Sequence, residues 1–322
     1  MGGKASWKER NRIVKMSAYL VERDANAYKK LAQIIGKYPD VAIKTYEADF
    51  LSVMPDILKE ISTDAFAFFL IDPKGWGIPL KSLAPLLTRP KSEVIFNFMF
   101  DFINRAASIK DNPLVVRELN ELMPHGNWRA KLEAAESSQA SPDIRKAILV
   151  EGFASNLAQL GNYDYVAETT VLRPVKDRPL YCLFYATRHE KGIEVFRDCQ
   201  AEALKEQSKT RAASKVRHAE AQSGQGEIFE SLHDMGPDDL ASFHAAELHA
   251  AETTLLKLTP EEPDSIRYEK LWPLVLTHNI VRKTDVNQIA GRLYREGKLL
   301  IPDWESRKQV PQPGYRIQRP KA

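Results

Sequence analysis

The chain has 322 residues, is 43% hydrophobic and 28% charged, and carries a formal net charge of +3. That is room for one large domain or two smaller ones with buried cores, and a charge too mild for a chain that binds nucleic acid over its whole surface. No stretch is apolar for long enough to span a bilayer and the N-terminus shows no signal-peptide apolar region, so a cytoplasmic protein without a membrane segment is expected. Cys182 and Cys199 lack metal-ligand spacing and fit a reducing compartment rather than a disulfide framework.

In chain order, the apolar patterning alternates strands and helices. SAYLVERD (Ser17–Asp24) predicts a strand, and ANAYKKLAQIIGKY a helix with Tyr28, Leu31, Ile34 and Ile35 on one face. VAIKTYEADF predicts a second strand, followed by the helix LSVMPDILKEIS. AFAFFLIDP predicts a third strand, broken by Pro73, Gly75 and Gly77; LKSLAPLL then predicts a helix and SEVIFNFMF a fourth strand. A charged helical stretch runs from Asp101 to Gln159, with breaks at HGNWRA (His125–Ala130) and ESSQASPD (Glu136–Asp143). DYVAETTVLR (Asp164–Arg173) and LYCLFYATRH (Leu180–His189) flank the turn-like PVKDRP and predict an antiparallel hairpin, closed by the helix GIEVFRDCQAEALKEQ. Apolar strands alternating with helices predict an α/β fold with a Rossmann-like parallel sheet buried on both faces and a helical insertion over about 101–160.

In such a sheet, ligands sit beyond the carboxyl ends of the strands. Those ends carry Glu22 and Asp24, then Asp49 beside Phe50, then Asp72, then Asn97 and Asp101. Any one of them reads equally well as a helix N-cap. The set favours a ligand crevice, because polar groups at the top of buried strands otherwise cost stability. Glu22 suits both hydroxyls of a ribose and Asp49 an adenine amino group, the two anchors of an adenosine ligand. Asp72 then lies where the reactive end of a cofactor meets substrate; Gly75 lets the backbone approach closely, and Trp76 offers a face for stacking. The candidate cofactor-binding residues are therefore Glu22, Asp24, Asp49, Phe50 and Asp72, and the candidate catalytic residues Asp72, Asn97 and Asp101. Lys74, Trp76 and Arg105 are candidates for substrate contact. Arg105 also reads as a structural partner of Asp72 or Asp101, and His125 and Trp128 are placed within reach of a pocket.

YLVERD, YEADF with MPDIL, FFLIDPKGWGIPL, SEVIFNFMFDFINRA and YCLFYATRHEKGIEVFRD together resemble the three-Cys-motif partner protein family. The resemblance covers roughly residues 17–200 and, with the C-terminal region, most of the chain. The blocks Phe69–Gly75, Asn97–Arg105 and Thr187–Gly192 are its more specific parts. It implies an S-adenosylmethionine-dependent methyltransferase-like protein with a C-terminal winged helix and a partner that carries a three-cysteine motif and resembles radical S-adenosylmethionine proteins. A methyltransferase sheet varies the Rossmann theme by ending in an antiparallel pair, as here. Two departures stand out. Lys74 follows Asp72 and Pro73 where the family usually has an aromatic, a place that Trp76 would fill. The first strand and glycine-rich loop of a methyltransferase have no counterpart in residues 1–16, which read as the helix that should follow them, with Gly2 and Gly3 as a remnant. Either upstream residues supply that strand, or this is a reduced form whose open sheet another element covers.

KEQSKTRAASKVRHAEAQSGQGEIFESL (Lys205–Leu232) predicts a helix fraying into a linker, and Asp238–Thr259 an amphipathic helix. His244 and His249 are off the spacing of a paired metal site. IRYEKLWPLVLTH, VRKTDVNQIAGRLYREGKLL and IPDWESRKQVPQPGYRIQRP predict helix, turn, helix and hairpin, the order of a winged helix-turn-helix. From Ile266 onward twelve Lys/Arg face five acids, an asymmetry that favours a nucleic-acid surface. Arg282, Lys283, Asn287, Gln288, Arg292, Arg295 and Lys308 are its candidate contacts. The expected domains are 1–207 (α/β), 208–262 (helical linker) and 263–322 (winged helix). Two functions follow: methyl transfer to nucleic acid or to a nucleic-acid-associated partner, or a methyltransferase-like scaffold that recruits one of these without turnover.

Overall fold

A computed structural model of the chain describes residues 14–73, 75–176, 178–223 and 235–321. Gly2, Gly3, Lys74 and most of the helix expected over 1–16 lie outside the described residues; residues 14–16 are not helical. The chain divides into two units, one reaching to Ala67 and including Ser82–Lys91, the other made of Phe68–Lys81 and Ser92–Ala322. The division runs through the span expected as one α/β domain.

In the first unit β1 (Ser17–Glu22) and β2 (Ala42–Glu47) pair in parallel, from Ser17 opposite Ala42 to Glu22 opposite Glu47. Parallel neighbours need a crossover, which α1 (Ala25–Ile34) supplies. α2 (Phe50–Glu60) follows β2 and buries Met54 and Ile57, and α3 (Ala84–Leu87) packs on it with Leu86 and Leu87 buried. Lys44 of β2 donates to Glu60 at 2.6 Å, fastening the far end of α2 to the strand.

In the second unit β3 (Ala67–Ile71), β4 (Ser92–Phe98), β5 (Tyr165–Leu172) and β6 (Pro179–Thr187) form one sheet in the order β3-β4-β6-β5. The expected hairpin is present, but β6 inserts between β4 and β5 and runs antiparallel to both, Phe184 standing opposite Phe96 and Glu168. The chain is therefore mixed α/β with a mixed sheet. β3, expected to be buried on both faces, is an edge strand that exposes Phe68 (53%) and Leu70 (65%) while Ala67 and Ile71 are buried.

The insertion between β4 and β5 comprises α4 (Phe100–Ala106), α5 (Pro113–Leu122), α6 (Trp128–Ser137) and α7 (Pro142–Gly161). Asn112 and Ser141 cap α5 and α7, each with a proline as the next residue, where its missing N–H is harmless. Phe153 of α7 meets Phe96, Phe98 and Phe184 of the sheet at ring-centroid distances of 4.8, 4.7 and 4.8 Å. Each such contact adds roughly 1 kcal/mol beyond area burial.

The rest of the second unit is α8 (Glu190–Ser223), α9 (Met235–Leu258), β7 (Ile266–Arg267), α10 (Tyr268–His278), α11 (Lys283–Arg295) and β8 (Arg316–Ile317). The last helix expected for the α/β domain and the start of the linker are one continuous α8. β8 pairs antiparallel with β7, which precedes both helices, and a single antiparallel bridge joins Leu300 to Gln318; the predicted helix, turn, helix order is present, while the expected closing hairpin is reduced to that bridge. These elements do not stand apart. Tyr165, Tyr185 and Ile193 share one core with Leu255, Leu271, Trp272, Val286 and Leu293. Arg197 of α8, 3% exposed, ties them together: it donates to the carbonyls of Leu276 (2.7 Å), Thr277 (3.2 Å) and Glu168 (3.2 Å) and to Gln200. Among the described residues no helix is long and apolar enough to cross a membrane.

Candidate functional site

The strand ends of the first unit serve their helices. Asp24 accepts the Ala27 N–H of α1 at 2.8 Å, and its own N–H donates to Glu22 Oε1 at 2.8 Å. Asp49 accepts the Leu51 N–H of α2 at 2.9 Å, and its second oxygen lies 3.8 Å from Arg23. Phe50 is the half-buried first residue of α2. Capping, the plainer of the two readings, describes Asp24 and Asp49 here.

The second unit differs. Asp72, just past β3, is exposed, and Asn97 of β4 donates its Nδ2 to Asp72 Oδ1 at 2.6 Å. The same Nδ2 lies 3.7 Å from Met99 Sδ. Asn97 Oδ1 is buried and has no hydrogen-bond partner, a state that ordinarily costs about 1–3 kcal/mol. Gly75, at φ +95°, makes the turn after Pro73 that an L side chain would strain. Trp76 donates its indole N–H to Glu118 of α5 at 3.0 Å, which holds the ring beside the insertion. Two expected catalytic residues are thus in contact, on adjacent strands.

Asp101, the third, does something else. It sits in the first turn of α4, 3% exposed, and takes Arg173 Nη2 at 2.6 Å, Arg178 Nη2 at 2.7 Å and Arg105 Nη2 at 3.4 Å. Burial pushes its carboxyl up, but the hydrogen bond from Arg173 and the charges of Arg178, Arg173 and Arg105 outweigh this and hold it below the ordinary carboxylate range. A carboxylate held ionised by three cations is a poor general base, so Asp101 is an anchor for the arginines. Arg105 is paired as the structural reading anticipated.

Trp128 is 4% exposed and donates to the Met123 carbonyl, so it is core and does not face a pocket. The main chain of His125 is held by Asn156, which accepts its N–H at 2.7 Å and donates to its carbonyl at 3.0 Å. Arg188 lies over the Tyr163 ring at 4.3 Å and donates to the Ser92 carbonyl. Among the described residues no group of His, Cys, Asp and Glu forms a metal site.

Part of the C-terminal charge excess is answered from outside its own segment. Arg282 pairs with Glu202 and Asp198, Lys283 with Glu194 while lying 4.1 Å from the Trp272 ring centre, and Arg292 with Glu252 and Glu296. Asn287 accepts the Tyr268 hydroxyl at 2.6 Å. Arg295 is exposed and reaches the Gln309 carbonyl at 3.4 Å; Lys308 lies in the loop ahead of β8. The face expected to meet nucleic acid is therefore mostly neutralised along Arg282, Lys283 and Arg292.

One feature was not legible beforehand. α7, β5, α8, α9 and α10 enclose a cleft of about 1400 Å³. On its wall Lys146 donates to Thr170 Oγ1 at 2.6 Å, Thr170 donates to Glu168, and Cys182 Sγ lies 3.7 Å from Thr170 Oγ1. Burial pushes the Cys182 thiol up, so it is inert. Glu168, Thr169 and Thr170, three consecutive polar residues in the middle of the strand, were the available signal.

No family model, curated protein or solved structure matches the chain.

Proposed function

We propose that this chain is a methyltransferase-like protein of the three-Cys-motif partner type, with Asp72 and Asn97 receiving an amino group of the acceptor. The observation that carries the reading is the orphaned Asn97 Oδ1 beside the exposed Asp72 carboxylate. An amino group donating one hydrogen to each would satisfy the buried oxygen and leave the nitrogen lone pair directed away from both. That is positioning rather than proton abstraction, and it suits a group already nucleophilic enough to be methylated. The antiparallel pair β5–β6 at the end of the sheet is in keeping with what the family resemblance implies of a methyltransferase sheet.

S-adenosylmethionine would supply the methyl group when bound. The described residues fit it incompletely: Asp24 and Asp49 cap helices, Glu22 accepts the Asp24 N–H, and the turn after β1, Arg23–Asp24, holds no glycine. The same observations favour a second reading, a scaffold that recruits nucleic acid or a three-Cys-motif partner without turnover.

Calorimetric titration of the full chain and of Asp72→Asn with S-adenosylmethionine separates the two. Equal binding by both proteins, with methylation of an amine-bearing acceptor only by the parent, is the expected result. Absence of binding by either leaves the scaffold.

A further inference from the structure

Three guanidiniums converge on Asp101 from three places in the chain: Arg105 from α4, Arg173 from the end of β5, and Arg178 from just before β6. The side chain of Asp101 is 5% exposed, whereas those of Arg105 and Arg178 are 59% and 55% exposed. The anion lies beneath and the cations face solvent. Among the described residues Asp101 is the one acid these three pair with, which leaves two more cations than anions among these four side chains.

The cluster is also built to keep its shape. The Arg173 N–H donates to the Arg178 carbonyl at 2.9 Å, closing the hairpin that carries both residues. Arg211 of α8 donates to the carbonyls of Arg173 (3.0 Å) and Lys176 (3.3 Å). Arg105 is held from its own helix by a 3.1 Å bond to the Asp101 carbonyl, and its guanidinium lies 4.8 Å from the ring centre of Phe102. Phe102 is 43% exposed, an aromatic face open to solvent beside fixed cations. Planar guanidiniums match the oxygens of a phosphate in pairs, and an exposed ring next to them offers a base a stacking surface. The C-terminal helix α11, the site expected from sequence, has no such excess along Arg282, Lys283 and Arg292.

We propose that Arg105, Arg173 and Arg178 clamp the phosphate backbone of a single-stranded nucleic acid, with Phe102 stacking on a base. The inference is independent of methyl transfer, since a scaffold without turnover would bind the same way. It moves the nucleic-acid surface from the C-terminal helices to the β5–β6 turn and α4.

The test is fluorescence anisotropy of the full chain with an end-labelled single-stranded DNA of about 20 nucleotides, over a salt series. Arg105→Ala with Arg178→Ala is expected to weaken binding at least tenfold and to lower the salt slope by about 1.4, because two phosphate contacts to a single strand are lost. Phe102→Ala is expected to weaken it by about tenfold with the slope unchanged. Arg178→Lys, which keeps the charge and loses the fork, is expected to fall between parent and double variant, and it covers the case in which the double variant fails to fold. The proposal is overturned if the parent does not bind, or if the clamp variants bind like the parent. It is also overturned if Arg295→Ala with Lys308→Ala removes binding instead. Displacement of the DNA by millimolar inorganic phosphate as readily as by unlabelled DNA, or equally by poly-glutamate, would reassign the cluster to small anions or acidic peptides.

Discussion

The two units put the same residue types at the ends of their strands to different use. In the first, Asp24 and Asp49 turn forward onto the helices that follow them. In the second, Asp72 is bonded sideways by Asn97 of the neighbouring strand, and Asp101 gathers arginines from the hairpin turn. The backbone after each strand decides the outcome. Where the carboxylate stands immediately before a helix, as at Asp24 and Asp49, the unpaired N–H groups of the first turn are the nearest donors and claim it. After Asp72 comes Pro73, which has no N–H, and then the positive-φ turn at Gly75, so no helix amide is within reach. A carboxylate denied a cap is left to a neighbour or to a ligand.

The strongest way to test this contrast is to remove each carboxylate in turn. Asp101→Ala leaves three arginines without their buried counter-charge and is expected to destabilise the second unit by about 3 kcal/mol, read by urea denaturation. Acid titration sharpens that result. The folded-state pKa of Asp101 is depressed, so its contribution is fully present above the ordinary carboxylate pKa and is lost as pH falls through the lower folded value. The Asp101→Asn protein should show a shallower loss of stability over that acidic window than the parent. Asp24→Ala and Asp49→Ala are expected to cost about 1 kcal/mol each, the ordinary loss for a cap. Asp72→Ala should change stability by no more than about 0.5 kcal/mol, since its carboxylate is exposed and caps nothing. A loss at Asp72 as large as that at Asp49 would break the contrast.

Most element positions were legible in the sequence because strands and helices write their periods locally. The six expected strands of the α/β region are all present, and Asp164–Arg173 does pair with Leu180–His189. What local patterning does not carry is which strand lies beside which. The insertion of β6 between β4 and β5 depends on contacts such as Phe96 opposite Phe184, far apart in the chain. The candidate site was half legible. Asp72 and Asn97 were found and do meet, whereas the arginines that claim Asp101 come 72 and 77 residues later. Trp128 misled because a tryptophan in a broken, polar stretch looks exposed; its indole instead finds the Met123 carbonyl inside the core. Counting charges after Ile266 does not show which are answered: Glu202, Glu194 and Glu252, which pair with Arg282, Lys283 and Arg292, lie earlier in the chain.

Arg197 carries a consequence for how such a chain can diversify. Its guanidinium, pushed down to about 10 by burial, is satisfied by carbonyls on both sides of the junction between the sheet and the C-terminal helices. Cutting at that junction would strand a cation in one fragment and bare apolar surface in both. The C-terminal helices are therefore poor currency for domain shuffling. Recombination that keeps the sheet has to keep them as well, and the two would be inherited as a single block.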